Sequence, residues 1–383
     1  MATRATYSTG SWFNRAKFIA PDAIFALTEQ YLADPFPQKV NLGQGTYRDE
    51  NGKPWVLPSV KKARESLARG LQHEYLPILG LRSFREETAR LVLGAELFKE
   101  QESKIATCQS LSGTGALHLA GLLLRACHTT LPKVYIPEPT WSNHHQVFQS
   151  LGFPCESFEY YDHDTKTLDI EAYYSMLRQA EPNSVVILHA CAHNPTGCDP
   201  SKEQWREIAR LMKAQQLFPL FDSAYLGFNS GNFDEDAFAI RLFLGEMQME
   251  AGVCVSFAKN MGLYGERVGS LLVSTNDKQV AMNTQSMLEM LQRSEVSNPP
   301  AFGAKIASQV LANDELRQMW FQDLMTMSGR IRSMRAALYE NLISFEKHHV
   351  YVADNSRISI AGLNSGNVEY VARSITQCLK DLE

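Results

Sequence analysis

The chain has 383 residues, 44% of them hydrophobic, with a net charge of −5. That length buries a large core and suggests a large α/β domain with a smaller partner. A mildly acidic chain, pI near 6.1, lacks the basic surface that nucleic acid or an anionic membrane requires. The seven cysteines are odd in number and scattered. No CxxC occurs, which argues against a disulfide framework or a zinc site and for a reducing compartment. The most apolar run, 116–126, is too short to span a bilayer and carries Arg125. The N-terminus lacks an apolar signal core. Arg4, Arg15 and Lys17 before the first acid, Asp22, make only a faint transit-like pattern, so an ordinary N-terminal arm is expected.

In chain order, the first predicted elements are a helix over 115–127 and a strand over 133–136. The apolar, β-branched run 185–190 predicts a strand buried on both faces. After a loop at 191–199, Pro200 fits the first turn of a helix capped by Asp199. Trp205, Ile208, Ala209 and Met212 recur at helical spacing, so residues 201–215 are expected to form an amphipathic helix. A strand at 217–221 completes a β-α-β unit and implies a mainly parallel sheet. Further on come a strand at 252–257, a helix at 279–291 and a long helix at 327–345. A strand hairpin over 349–360, turning at Asp354-Asn355, and a last helix from Asn367 complete the expected series. The fold class is therefore α/β: a large domain with a mainly parallel central sheet flanked by helices, over residues 50–315. Residues 1–49 and 316–383, the two chain ends, would form a smaller domain.

Several short motifs carry chemistry. Ser256-Phe257-Ala258-Lys259 directly follows an apolar strand and precedes Arg267. A lysine at the carboxyl end of a buried strand sits where open α/β sheets bind ligands. Partial desolvation there frees its amine for Schiff-base chemistry, and Arg267 could fix a phosphate. Ser112-Gly113-Thr114-Gly115 leads into a helix, whose N-terminus is an anion site; as a stand-alone signal it is equally a plain helix start. Asp222, at the end of its strand, is either a turn aspartate or the partner of a cofactor's ring nitrogen, with Tyr225 near enough for a phenolic oxygen. His189 and His193 lie in a strand and a loop, which is not the helical i, i+4 spacing of a metal site, so no metal is expected. Asn194-Pro195 reads as a rigid turn aiming an amide at a ligand. Together these supply a lysine nucleophile, a phosphate cradle, a pyridine partner and a polar turn, all at strand ends.

These motifs, with Val40-Asn41-Leu42-Gly43-Gln44-Gly45, His73-Glu74-Tyr75 and Pro139-Thr140-Trp141, occur in the order found in one family. From about Phe18 onward the chain resembles the aspartate aminotransferases, fold-type I pyridoxal-phosphate enzymes, the eukaryotic cytosolic and mitochondrial group in particular. The resemblance implies that Lys259 holds pyridoxal 5'-phosphate as a Schiff base and shuttles the proton between substrate Cα and C4′. It implies that Asp222 pairs with the ring nitrogen, Asn194 and Tyr225 with the 3′-oxygen, and that Trp141 stacks on the ring. Ser112, Gly113, Thr114, Ser256 and Arg267 would hold the phosphate, with Tyr75 arriving from a neighbouring subunit. Gly45 would line the substrate pocket. Arg357 would grip the substrate α-carboxylate and the neighbour's Arg293 the distal one. Two guanidiniums suit substrates with two carboxylates: aspartate, glutamate, 2-oxoglutarate and oxaloacetate. Residues acting across an interface imply a C2 homodimer.

The pattern breaks in two places. Ala258 stands where some relatives carry serine. More seriously, Ile343-Ser344-Phe345-Glu346-Lys347-His348-His349 runs from helix into strand with no Gly, Pro or Asn stop signal. The turn, strand and helix expected there are missing, which indicates an internal deletion near Phe345-Glu346. The resulting sheet edge would be exposed beside Arg357. The expected activity is L-aspartate:2-oxoglutarate transamination in the cytoplasm, a mature mitochondrial form being compatible. The alternatives are an aromatic-tolerant aminotransferase, or a chain that binds cofactor and turns over little.

Overall fold

The computed structural model describes residues 11–19, 23–43, 45–67, 70, 72–344, 350–351 and 360–380. The predicted hairpin turn, Arg357 and the 345–346 junction lie outside the described residues.

A seven-stranded sheet organises the chain. Its strands are β1 (Ile105–Leu111), β2 (Val134–Glu138), β3 (Cys155–Glu159), β4 (Val185–His189), β5 (Phe218–Ser223), β6 (Ala251–Ser256) and β7 (Val268–Ser274). Their spatial order is β1-β7-β6-β5-β4-β2-β3. The pairs are parallel except that β7 runs antiparallel to both β1 and β6. Two apolar layers clamp the sheet. Val186, Leu188, Phe221, Val253, Val255 and Leu272 face one layer, while Val185, Ile187, Leu220, Cys254, Leu271 and Val273 face the other. Successive side chains point to opposite faces, so a strand buried on both sides must be apolar at every position. That is why 185–190 reads as a continuous run and not as an alternation.

The predicted β-α-β unit is present, with one correction. Helix α2 (Lys202–Ala214) is capped by Ser201, not by Asp199. The Ser201 hydroxyl accepts from the Gln204 N–H and the Gln204 side chain accepts from the Ser201 N–H, a complete capping box. Trp205, Ile208, Ala209 and Met212 are buried along one face, as their spacing requires. Ser201→Ala is expected to cost about 1 kcal/mol, the usual value of an N-cap hydroxyl, read as a lower urea midpoint at unchanged slope.

Helix α1 (Ser112–Cys127) begins three residues earlier than predicted, directly at the end of β1, and α3 spans Lys278–Glu295. The helix expected over 327–345 is longer, running from Asp314 to Ser344 as α4. Its start is set by Asn313, whose side chain accepts from the Leu316 N–H, and Gly329 passes through its middle without breaking it. Leu316, Trp320, Leu324 and Met327 of α4 pack on the sheet's core, whereas Leu338 joins a separate cluster. That cluster also contains Val40, Leu42 and Leu363, together with Val368, Val371 and Ala372 from α5 (Val368–Lys380). Val40–Asn41 pairs in parallel with Val350–Tyr351, so the two ends of the chain meet there.

Candidate active site

The sheet brings the chemical residues to one edge. Because β4, β5 and β6 are parallel and in register, His189 lies beside Asp222, and Asp222 beside Cys254. Because β7 is antiparallel, it starts where β6 ends: Gly269 pairs with Ser256, and Val268 with Leu111. Arg267, just before β7, and Ser112, just after β1, are therefore drawn to the same end.

A cavity of about 360 Å³ opens there. Gly45, Ser112, Gly113, Thr114, Trp141, Asn194, Asp222, Tyr225, Ser256, Lys259 and Arg267 line it. Residues separated by more than two hundred positions are thus collected in one place. Tyr75 and Arg293 lie outside it: Tyr75 is 88% exposed, and Arg293 is exposed with its guanidinium donating to Ser297 Oγ.

At one end of the cavity Ser112 Oγ and Ser256 Oγ are 2.8 Å apart. Ser112 adopts φ 59° as the chain turns from β1 into α1, and the first residues of the helix, Ser112 to Thr114, line the cavity, where a helix N-terminus favours an anion. Gly269 makes this approach possible: a Cβ there would stand 2.5 Å from the Val255 carbonyl oxygen and 2.6 Å from the Ser112 carbonyl carbon. Arg267 donates to the Tyr264 carbonyl at 3.1 Å through Nη1 and is otherwise exposed.

Lys259 follows β6 by three residues and is partly buried, with Nζ 5.5 Å from the centre of the Tyr225 ring. The turn that carries it is anchored. Asn260 is fully buried, donates to the Leu226 carbonyl at 3.0 Å, and accepts the Trp320 indole N–H on its own carbonyl at 2.8 Å.

Asp222 is held by a chain of hydrogen bonds whose polarity follows from one proton on each imidazole. The Asn194 N–H donates to His189 Nδ1 at 3.2 Å, so Nε2 of His189 carries that ring's proton and donates to Thr140 Oγ1 at 3.2 Å. The Thr140 hydroxyl then donates to His144 Nδ1 at 2.9 Å, and His144 Nε2–H donates to Asp222 Oδ2 at 3.0 Å. With each imidazole carrying one proton, this assignment satisfies every bond. Burial opposes the Asp222 charge, but the hydrogen bond from His144 and the nearby Lys259 outweigh it and hold the carboxyl below its usual range. Burial pushes His189 well below the ordinary imidazole value, helped by His193 and His144, and burial takes His193 down to about 3. His193 stacks flat on Tyr160 at 3.8 Å.

The sequence assigns no role to His144, and Thr140 enters only as part of the Pro139-Thr140-Trp141 motif. His144 lies in a short helix and bonds to a residue 78 positions away, a relation with no local signature. Asp199 also has a different role from the cap expected of it: its carboxylate accepts from the N–H groups of Ala192 and His193.

The site fits a pyridine ring bearing an aldehyde and a phosphate. An N–H-lined turn and an arginine form the anionic end, and a buried ionised carboxylate suits a protonated ring nitrogen. An amine stands close by, and the volume is that of a small-cofactor pocket.

Matching residues 37–346, the chain belongs to the aminotransferase class I and II family. It is 39% identical to the cytoplasmic aspartate aminotransferase of Saccharomyces cerevisiae, over 96% of this chain and 97% of that protein. It is 42% identical to the mitochondrial aspartate aminotransferase of Schizosaccharomyces pombe, over 93% of this chain and 88% of that one. Among solved structures it superposes, with a TM-score of 0.91, on an aromatic-amino-acid aminotransferase from Burkholderia pseudomallei covalently bound to pyridoxal phosphate. That match has 35% identity and covers 96% of this chain and 99% of that one. The expected fold class and the expected pyridoxal-phosphate-dependent aminotransferase chemistry hold.

Proposed function

We propose that this chain transfers the amino group between L-aspartate and 2-oxoglutarate, giving oxaloacetate and L-glutamate. The observation that carries the proposal is the shared cavity, in which Lys259 and a buried Asp222 carboxylate stand at adjacent strand ends. Pyridoxal phosphate, when bound, supplies the electron sink that makes the substrate Cα–H acidic. Ser112, Gly113, Thr114, Ser256 and Arg267 would hold its phosphate. Asp222, oriented by His144, would hold the proton on the ring nitrogen, and Asn194 and Tyr225 would bind the 3′-oxygen. Trp141 would pack against the ring. Lys259 Nζ would hold the cofactor and carry the substrate Cα proton.

On the substrate side, a second cavity shares Gly45, Asn194, Tyr225 and Lys259 with the first and is also lined by Arg335. Arg357 and a neighbour's Arg293 are the proposed carboxylate grips. The exposure of Tyr75 and Arg293 on their own chain supports a homodimer in which each subunit completes the other's site. Residues 50–315 are proposed as the cofactor-binding domain, with residues 1–49 and 316–383 as the smaller one. The cytoplasm is the proposed compartment, in keeping with the cytoplasmic relative.

Two features support an internal deletion. The family match stops at residue 346, and the aligned span with the Saccharomyces protein, 406 residues, exceeds the 383 of this chain. The likeness to an aromatic-amino-acid aminotransferase also keeps aromatic substrates as a second reading.

A half-reaction tests the proposal. The purified chain is reconstituted with pyridoxal phosphate, and aspartate, then phenylalanine, is added while the cofactor's absorbance is followed. Conversion with aspartate at lower concentration than with phenylalanine is the expected result. Preferential conversion with phenylalanine would establish the second reading, and a bound but unresponsive cofactor would show that the shortened C-terminal region has disabled substrate capture.

A further inference from the structure

We infer that Asp199 is a positioning residue that ties the loop carrying Asn194 to the loop carrying Tyr225, setting both ring-oxygen partners with one carboxylate. The inference rests on the cofactor roles proposed above for those two side chains.

The loop after β4 turns sharply. Ala192 adopts φ 49°, a left-handed conformation that a residue with a Cβ rarely takes and that costs about 1 kcal/mol or more. Something must hold it. Asp199 does so with both oxygens: Oδ2 accepts from the Ala192 N–H at 2.7 Å and Oδ1 from the His193 N–H at 2.8 Å. These are the two N–H groups immediately before Asn194. Asn194 is then free to give its own N–H to His189 while its side chain lines the cavity.

The carboxylate has a third donor, Asn229 Nδ2, which reaches Oδ2 at 3.3 Å. Asn229 belongs to the turn that starts at Tyr225, for the Tyr225 carbonyl accepts the N–H groups of Phe228 at 2.9 Å and Asn229 at 3.2 Å. The far side of that turn is fixed as well. Ser328 of α4 donates to the Asn229 carbonyl at 2.8 Å, and the buried Asp236 carboxylate accepts from the N–H groups of Gly227 and Ser230. Asp199 and Asn229 thus form the link between two loops whose side chains meet on one ligand.

The helix does not explain this aspartate, because α2 is already capped by Ser201 and Gln204. No lysine or arginine among the described residues makes a salt bridge with Asp199. It is a largely buried carboxylate answered by N–H donors alone, and burial raises its proton affinity in spite of them. Such a costly group is well suited to positioning, since an ionised carboxylate takes all three donors on its two oxygens with no O–H of its own left to satisfy.

The test uses the full chain reconstituted with pyridoxal phosphate, and variants D199N, N229A, the double variant and N194A. The pH midpoint of the bound cofactor's visible absorbance is measured, with cofactor affinity and the unfolding temperature of the cofactor-free chain alongside. D199N and N229A are expected to shift the midpoint in the same direction as N194A, by roughly half a unit or more. The double variant is expected to move it no further than D199N, as for two members of one link. An unchanged midpoint in D199N, with N194A shifted, overturns the inference. If D199N does not fold, N229A carries the test, and its unchanged midpoint beside a shifted N194A overturns the link. An unshifted midpoint in N194A itself refutes the ring-oxygen role on which the inference stands, and so separates that failure from the failure of Asp199.

Discussion

Lys259→Ala is expected to abolish the visible cofactor absorbance that responds to aspartate and to lower turnover by at least about ten-thousandfold. The lysine is assigned two tasks, attachment of the cofactor and transfer of the Cα proton, and loss of a single positioned acid–base group already reaches about that size. Folding should be little affected. Lys259 is only partly buried, and the turn around it is held by Asn260 and Trp320. Absorbance titration with pyridoxal phosphate, next to a thermal melt, separates the two effects. A variant that keeps both the band and the aspartate response would remove Lys259 from the mechanism.

Asp222→Ala carries the second large effect. The carboxylate is buried, and its one described hydrogen-bond donor is His144. Removing it leaves the His144 N–H without an acceptor, and a bound cofactor's ring nitrogen would lose the charge proposed to keep it protonated. A fall in kcat of roughly a hundred- to a thousandfold is expected, the usual loss when one preorganised electrostatic partner is removed, with weaker cofactor binding as well. Stability gives an independent reading. The folded-state carboxyl sits below its usual value, so its ionised form favours folding above the unfolded-state carboxylate range. That contribution disappears as pH falls through the folded value. The stability gap between the parent and Asp222→Ala, from urea unfolding at several pH values, should therefore be widest near neutrality and shrink in acid. A gap that widens in acid would contradict the orientation assigned to His144 and Asp222.

How much of this was legible beforehand differs from element to element. The strand at Val185–His189 and the helix at Lys202–Ala214 were readable because each carries its period in its own residues: an unbroken apolar run in one, Trp205, Ile208, Ala209 and Met212 in the other. The strand Val268–Ser274 was not read. It directly follows the Lys259–Arg267 loop and contains Gly269, which has low strand propensity. It is a strand because it fills the gap between β1 and β6 and is buried at every position. The start of α4 lies thirteen residues before the expected one: the polar stretch Asn313-Asp314-Glu315, a cap followed by first-turn acids, marks it directly after the preceding helix.

The sequence by itself determined the class of chemistry, because the lysine, the aspartate and the glycine-bearing phosphate turn lie in short contiguous motifs. Local chain geometry confines the residues within each motif, so their spacing carries information. Only the tertiary structure decided which groups support them. His144 reaches Asp222 across 78 positions, Asn229 reaches Asp199 across 30, and Trp320 reaches Asn260 across 60. Each of these partners is chosen by how the parallel strands and their crossover helices stack, and a hydrogen bond formed across that packing leaves no periodicity in the chain.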